Sequence, residues 1–143
     1  MKNILVAIDF SSISNKLIEV ATPIAEKFGA KIWLVHIATP DPEFVGYNIG
    51  PQYIRDSKAE VLRMEHRELQ LMAKNLKDKH VDVEALLIQG PTAETLVEEA
   101  KKLKADLVVL GAEDHGKIFK TIFGSVWEEV LKKTHVPVLM VPS

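Results

Sequence analysis

Residues 107–125, LVVLGAEDHGKIFKTIFGS, place a short apolar run ahead of a loop rich in glycine and lysine, and VWEEVLKK follows. Gly111, Gly116 and Gly124 permit close backbone approach, Lys117 and Lys120 bring positive charge, and Ser125 offers a hydroxyl near a helix start. Helix N-termini and turns of successive N–H groups attract anions, so this loop is a candidate phosphate site. Asp114 stands in the middle of it. At ~4 Å and an effective dielectric of ~20, one pair of like unit charges repels by about 4 kcal/mol. Solvent, a metal ion, Lys117, Lys120 and the Gly116 N–H would each offset part of that cost. Asp9, far upstream, ends the apolar run NILVAI and precedes Ser11 and Ser12. In its plainest reading it caps the helix that follows.

Three known phosphate motifs do not fit. The turn after the first apolar run reads DFSSIS, so the dinucleotide fingerprint G-x-G-x-x-G is absent there. Residues 111–118, GAEDHGKI, match a P-loop except at its last position, where Ile118 lacks the magnesium-binding hydroxyl. A phospho-receiver needs an acidic pair, a second aspartate and a late lysine. The chain has Asp9 alone, then LIQG, then VPS at those places.

The elements that carry these residues alternate. NILVAI (3–8) and KIWLVHI (31–37) are unbroken apolar runs, as expected of strands covered on both faces. Between them Ile13, Leu17, Val20, Ile24 and Phe28 recur at helical spacing, with Ser11 or Ser12 as cap, a kink expected at Pro23 and a stop at Gly29. ATPDPEFVGYNIGP reads as a long loop. A helix is predicted over 52–79 with Ile54, Val61, Leu69, Met72 and Leu76 on one face. A strand follows over 81–88, with VDVEA alternating like a sheet edge. Thr92 is expected to cap a helix over 93–104 that points Leu96, Ala100 and Leu103 inward. LVVL (107–110) is a fourth strand. A helix over 121–134 should turn Val126, Val130 and Leu131 inward, and VPVLMV (136–141) is a fifth strand. This βα alternation predicts an α/β fold, an open parallel sheet with helices on both faces, in one domain over 1–143. Ligands in such sheets sit beyond the carboxyl ends of the strands, where strand order reverses.

Composition bounds the partners. The 143 residues carry a net charge of −2 without blocks of like charge, which argues against a general nucleic-acid binder. With no cysteines, thiol catalysis and cysteine-ligated metal are excluded. Neither a signal peptide nor an apolar stretch of ~20 residues is present, so the expectation is a cytoplasmic protein outside the membrane. His36, inside a strand, reads as structural, and His115 as a solvated loop residue.

The chain resembles the universal stress proteins along its whole length. The matching segments are VAIDFS (6–11), LVHI (34–37), GPTAETLVEEA (90–100), ADLVVLGA (105–112) and GSVWEEVLKKTHVPVLMVP (124–142). That family's ATP motif is G-x-x-G, nine residues, then G-[ST]. Gly111 fills its first position, Asp114 replaces its second glycine, and Gly124 and Ser125 fall in register. The resemblance implies a Rossmann-like sheet of five strands in the order 3-2-1-4-5. It implies that Asp9 bonds ribose hydroxyls, that the Ile37 backbone meets the adenine edge, and that Gly124 and Ser125 hold phosphate. The nucleotide-contacting set it suggests is Asp9, Ile37, Gly111, Gly116, Lys117, Gly124, Ser125 and Val126. The implied ligand is ATP or another adenine nucleotide, with magnesium as a companion. The implied assembly is a homodimer through 136–141. Catalysis would amount to a slow ATPase at most. A dimeric interaction protein that has lost the nucleotide stays open as the alternative, because Asp114 favours it.

Overall fold

The computed structural model describes residues 1–38, 52–112 and 126–143 of the chain. Five strands form one sheet in the order β3-β2-β1-β4-β5, and every neighbouring pair is parallel. The strands are β1 (Asn3–Ala7), β2 (Lys31–Ala38), β3 (Val83–Gln89), β4 (Leu107–Gly111) and β5 (Val138–Val141). Four helices are described: α1 (Ser14–Phe28), α2 (Gln52–Asp78), α3 (Thr92–Lys102) and α4 (Val126–Lys133). β1 is central. Asn3–Ala7 run in register with Lys31–Val35 on one side, and Ile4–Val6 with Leu107–Val109 on the other.

Side chains of a strand alternate between faces, and here the alternation sorts the core into two layers. Ile4, Val6, Ile32, Leu34 and Val109 pack beneath Leu17, Ala21 and Ala25 of α1 and Leu69, Ala73 and Leu76 of α2. Leu5, Val35, Val108 and Leu110 pack beneath Ala93, Leu96 and Ala100 of α3 and Val130 of α4. α1 and α2 therefore cover one face and α3 and α4 the other. This placement follows when the chain moves outward from β1 to β3 and then crosses back to β4 by right-handed connections.

Several expectations shift. In α1 the buried stripe is Leu17, Ala21 and Ala25, with Val20 and Ile24 at its margins and Phe28 59% exposed. The alanines bring the helix backbone close to the sheet, and the larger side chains flank the contact. Pro23 lies inside a helix that continues to Phe28 and stops at Gly29, whose φ is 62°. In α2, Leu69 and Leu76 are buried and Met72 partly so, but Val61 is exposed. Among the described side chains of that helix, burial begins only at Leu69. In α4, Val130 is buried with Trp127 beside it, while Val126 and Leu131 are exposed in the single chain. Trp127 and Val130, three residues apart, form the inward face of the described helix, and Val126 and Leu131 fall outside it. β3 and β5 each start two residues later than expected, at Val83 and Val138. The loop expected over 38–51 lies outside the described residues except for Ala38, which closes β2. The helix expected from 121 is described from Val126.

The cap expected at Thr92 moves by one residue. Pro91, extended at φ −62° and ψ 130°, is the N-cap, and its carbonyl accepts from the Thr95 N–H. Thr92 is the first helical residue. Gly90 before it adopts φ 155°, and a Cβ there would lie 2.5 Å from Thr95 Oγ1.

The amino end of the sheet is fastened by one carboxylate. Asp106 Oδ2 accepts from the Lys2 N–H at 2.7 Å and the Asn3 N–H at 3.0 Å, while the Asp106 N–H donates to the Asn3 carbonyl. Asn3 Oδ1 accepts from Trp33 Nε1 at 3.0 Å. The two backbone donors hold the Asp106 carboxyl below its ordinary pKa.

Two outcomes follow. Gly90→Ala should destabilise the fold by about 1–3 kcal/mol in denaturant titration, through the clash with Thr95 and the backbone strain. Adding Thr95→Ala should recover only the steric part. For Asp106, a depressed folded pKa means that its contribution is present above the unfolded value and fades as pH falls through the folded one. Urea unfolding of wild type and Asp106→Ala should therefore differ at neutral pH and converge below about pH 4. A gap that stays constant into acid would refute the assignment.

Candidate functional site

The carboxyl ends of β2, β1 and β4 lie side by side, because those strands are neighbours in the sheet. The chain leaves β1 toward β2 and returns to β4 on the other side, so strand order reverses between β1 and β4. Asp9, Ile37 and Gly111 sit at these three ends.

The turn after β1 is organised by Asp9. Its Oδ1 accepts from the Ser11 N–H at 2.9 Å, the Ser11 hydroxyl at 2.6 Å and the Ser14 hydroxyl at 3.2 Å. Ser11 and Ser12 were the expected caps of α1, yet Ile13 occupies the N-cap and no side chain bonds the helix N–H groups from there. The physical reason is competition. An ionised carboxylate two residues upstream is the stronger acceptor and takes the Ser11 donors into its own turn. Phe10, beside Asp9, adopts φ 62°. Holding an aromatic residue in the left-handed region costs on the order of 1–2 kcal/mol. Such strain persists only where neighbouring contacts enforce it.

The neighbouring contacts come from β2. Ile8 donates its N–H to the Val35 carbonyl at 2.8 Å, and its own carbonyl accepts from His36 Nδ1 at 2.7 Å. A carbonyl only accepts, so Nδ1 carries the hydrogen. The other ring nitrogen, Nε2, lies 2.5 Å from Glu65 Oε2 on α2. That oxygen is buried, and the contact is short but off the hydrogen-bond direction. The Phe10 ring rests against the imidazole, with centroids 4.6 Å apart and planes tilted by 54°. His36 reads from sequence as structural, and its bonds agree. Glu65 was not singled out. Its signal was a charged residue four positions before Leu69, on the apolar stripe of α2.

Ile37 turns its side chain into the α3 face and is 7% exposed. Backbone groups of alternate strand residues face the same neighbour. The Val35 carbonyl faces β1, so the Ile37 backbone faces the same way, at a level where the β1 ladder has ended at Ala7. That places main-chain donor and acceptor groups at the carboxyl end of the sheet, beyond the β1 ladder. A Cβ on Gly111 would lie 3.0 Å from Ile13 Cγ2, so this glycine lets the end of β4 pass close to the start of α1. Val126 opens α4 and is exposed. Gly116, Lys117, Gly124, Ser125 and Asp114 lie outside the described residues. Among the described residues, no group of three or more His, Cys, Asp or Glu is arranged to hold a metal, and no helix is long and apolar enough to cross a membrane.

Comparison with known proteins gives a consistent assignment. Residues 1–142 match the universal stress protein family. A universal stress protein of Methanocaldococcus jannaschii is 31% identical over 141 residues, covering 98% of this chain and 81% of that one. Another, from Thermus aquaticus, is 31% identical over 140 residues and is covered to 98%, as is this chain. Among solved structures, a protein whose biochemical function was assigned from its structure superposes with a TM-score of 0.82 at 22% identity, covering 99% of this chain and 96% of the other. A universal stress protein in complex with cAMP gives 0.66 at 25% identity, covering 99% and 96%. One from Archaeoglobus fulgidus in complex with dAMP gives 0.66 at 20% identity, covering 98% and 97%. The match in sequence spans nearly the whole chain, and the strand order is the one the resemblance implied: this chain belongs to the universal stress protein family.

Proposed function

We propose that the protein binds an adenine nucleotide in the cleft at the carboxyl ends of β1, β2 and β4, as a cytoplasmic sensor in a stress response. One observation carries this reading. Asp9, the Ile37 backbone and Gly111 converge on adjacent strand ends across the reversal of strand order. In this reading Asp9 meets the ribose hydroxyls, Ile37 the adenine edge, and Gly124, Ser125 and Val126 the phosphates, with Gly116 and Lys117 beside them. Relatives in complex with cAMP and dAMP support the choice of an adenine nucleotide. ATP with magnesium is the fullest form of the ligand. Asp114 works against it, since repulsion grows with the charge brought near the carboxylate. The preference then runs adenosine over AMP over ATP.

A second reading rests on the same residue. With Asp114 in the motif and β5 at the sheet edge, the protein would be a homodimer joined along 136–141 whose role is protein interaction alone.

Calorimetry with ATP, AMP and adenosine separates the two. Asp9→Ala should weaken all three ligands about tenfold, as loss of a charge-assisted hydrogen bond does. Asp114→Gly should strengthen ATP several-fold and leave adenosine nearly unchanged, while Asp114→Asn shows how much of the gain is charge. If neither wild type nor Asp114→Gly binds any of the three, the interaction-protein reading replaces this one. For assembly, light scattering should give a dimer, and charged residues at both Val138 and Met140 should yield monomer. A monomeric wild type at micromolar concentration would exclude the β5 dimer.

A further inference from the structure

We propose that His36 and Glu65 are positioning residues for the nucleotide site: the pair fixes the Ile8 carbonyl, and through it the turn that presents Asp9. The inference rests on the reading that an adenine nucleotide binds there. The carbonyl of Ile8 is the last backbone group before Asp9, and it lies past the end of the β1 ladder at Ala7. Left alone it would have no strand partner. The imidazole of His36 bonds it through Nδ1. That bond has a direction only if the ring is held, and two contacts hold it. Glu65 meets the opposite nitrogen, and Phe10 lies against the ring.

The geometry thus forms a chain from α2 to the turn: Glu65, His36, Ile8, then Asp9 with Ser11 and Ser14 gathered on its Oδ1. Phe10 keeps its left-handed conformation inside this chain, between the carbonyl that His36 bonds and the imidazole itself. His36 also precedes Ile37 on β2, so one side chain joins the strand of the adenine contact to the turn of the ribose contact. A purely packing role would need neither ring nitrogen. Here both meet oxygen atoms, and the side chain of His36 is only 12% exposed. Buried polar groups with such partners orient what they touch, as outer partners orient the ligands of a metal site.

The test uses the intact protein and two variants of different risk. His36→Phe keeps the ring shape and removes both nitrogens. Glu65→Ala removes the carboxylate from a partly exposed helix position and spares the core. The ligands are adenosine and 2′,3′-dideoxyadenosine, which lacks the ribose hydroxyls assigned to Asp9. Each variant should lose about fivefold in adenosine affinity and little for the dideoxy compound. Glu65→Gln, whose amide can turn either its oxygen or its N–H toward Nε2, should restore most of the loss. In an Asp9→Ala background, Glu65→Ala should add nothing further. Without ligand, amide exchange at Ser11 should quicken in both variants while Val109 stays as in wild type. Equal losses for the two ligands, or additive losses with Asp9→Ala, would overturn the positioning role and leave nucleotide binding intact. Unchanged Ser11 exchange would also overturn it. A wild type that binds neither compound would overturn the nucleotide reading and this inference with it, whatever the exchange shows.

Discussion

A strand enclosed on both faces and both edges has no water to satisfy its backbone, and β1 is such a strand. Ile4, Leu5 and Val6 are wholly buried, and β2 and β4 take up the hydrogen bonds on either side. Each buried N–H and C=O must find a partner, because an unpaired one costs about as much as a lost hydrogen bond. Along the ladder this obligation is met automatically. At the two ends it is not, and there the protein spends its polar side chains.

At the amino end, Asp106 receives the Lys2 and Asn3 N–H groups, and Asn3 in turn receives Trp33. At the carboxyl end, His36 takes the Ile8 carbonyl and Asp9 takes the Ser11 N–H. The chemistry is alike, since a side chain completes what the strand leaves open. The surroundings differ. At the amino end the carboxylate is spent on fastening strand to strand. At the carboxyl end three strand termini and the strained Phe10 meet beside a change of strand order, the place where open sheets of this kind take their ligands. The demand that seals one end of β1 creates at the other a rim of directed polar groups.

The layered architecture was legible because it depends on gross patterning. NILVAI and KIWLVHI are apolar throughout, and only a strand covered on both faces needs that. The order of the strands came from the resemblance carried by VAIDFS and GSVWEEVLKK rather than from periodicity. Finer features were hidden where two residues compete for one role. Periodicity placed Phe28 on the stripe of α1, but the contact distance to the sheet favours Ala21 and Ala25. Cap propensity favoured Ser11, Ser12 and Thr92, but Asp9 drew Ser11 away and Pro91 supplied the first helical carbonyl. At the carboxyl end of the sheet, Asp9 and Gly111 stand out in the sequence by residue type and by their place after apolar runs. Glu65 is less legible, since its place on the apolar stripe of α2 marks the face it shares but not the histidine of another element that it meets.

α2 has 27 residues, about 40 Å of helix at 1.5 Å per residue, against eight residues in β2, about 26 Å of strand. Among its described side chains burial begins at Leu69, and Glu65 lies about one turn, or 6 Å, before it. The carboxylate therefore reaches His36 on a short arm from an anchored turn. A tilt of about 10° about Leu69 moves the Glu65 backbone by only about 1 Å. In mechanical terms the imidazole is braced close to the fulcrum, where bending of a long helix displaces least.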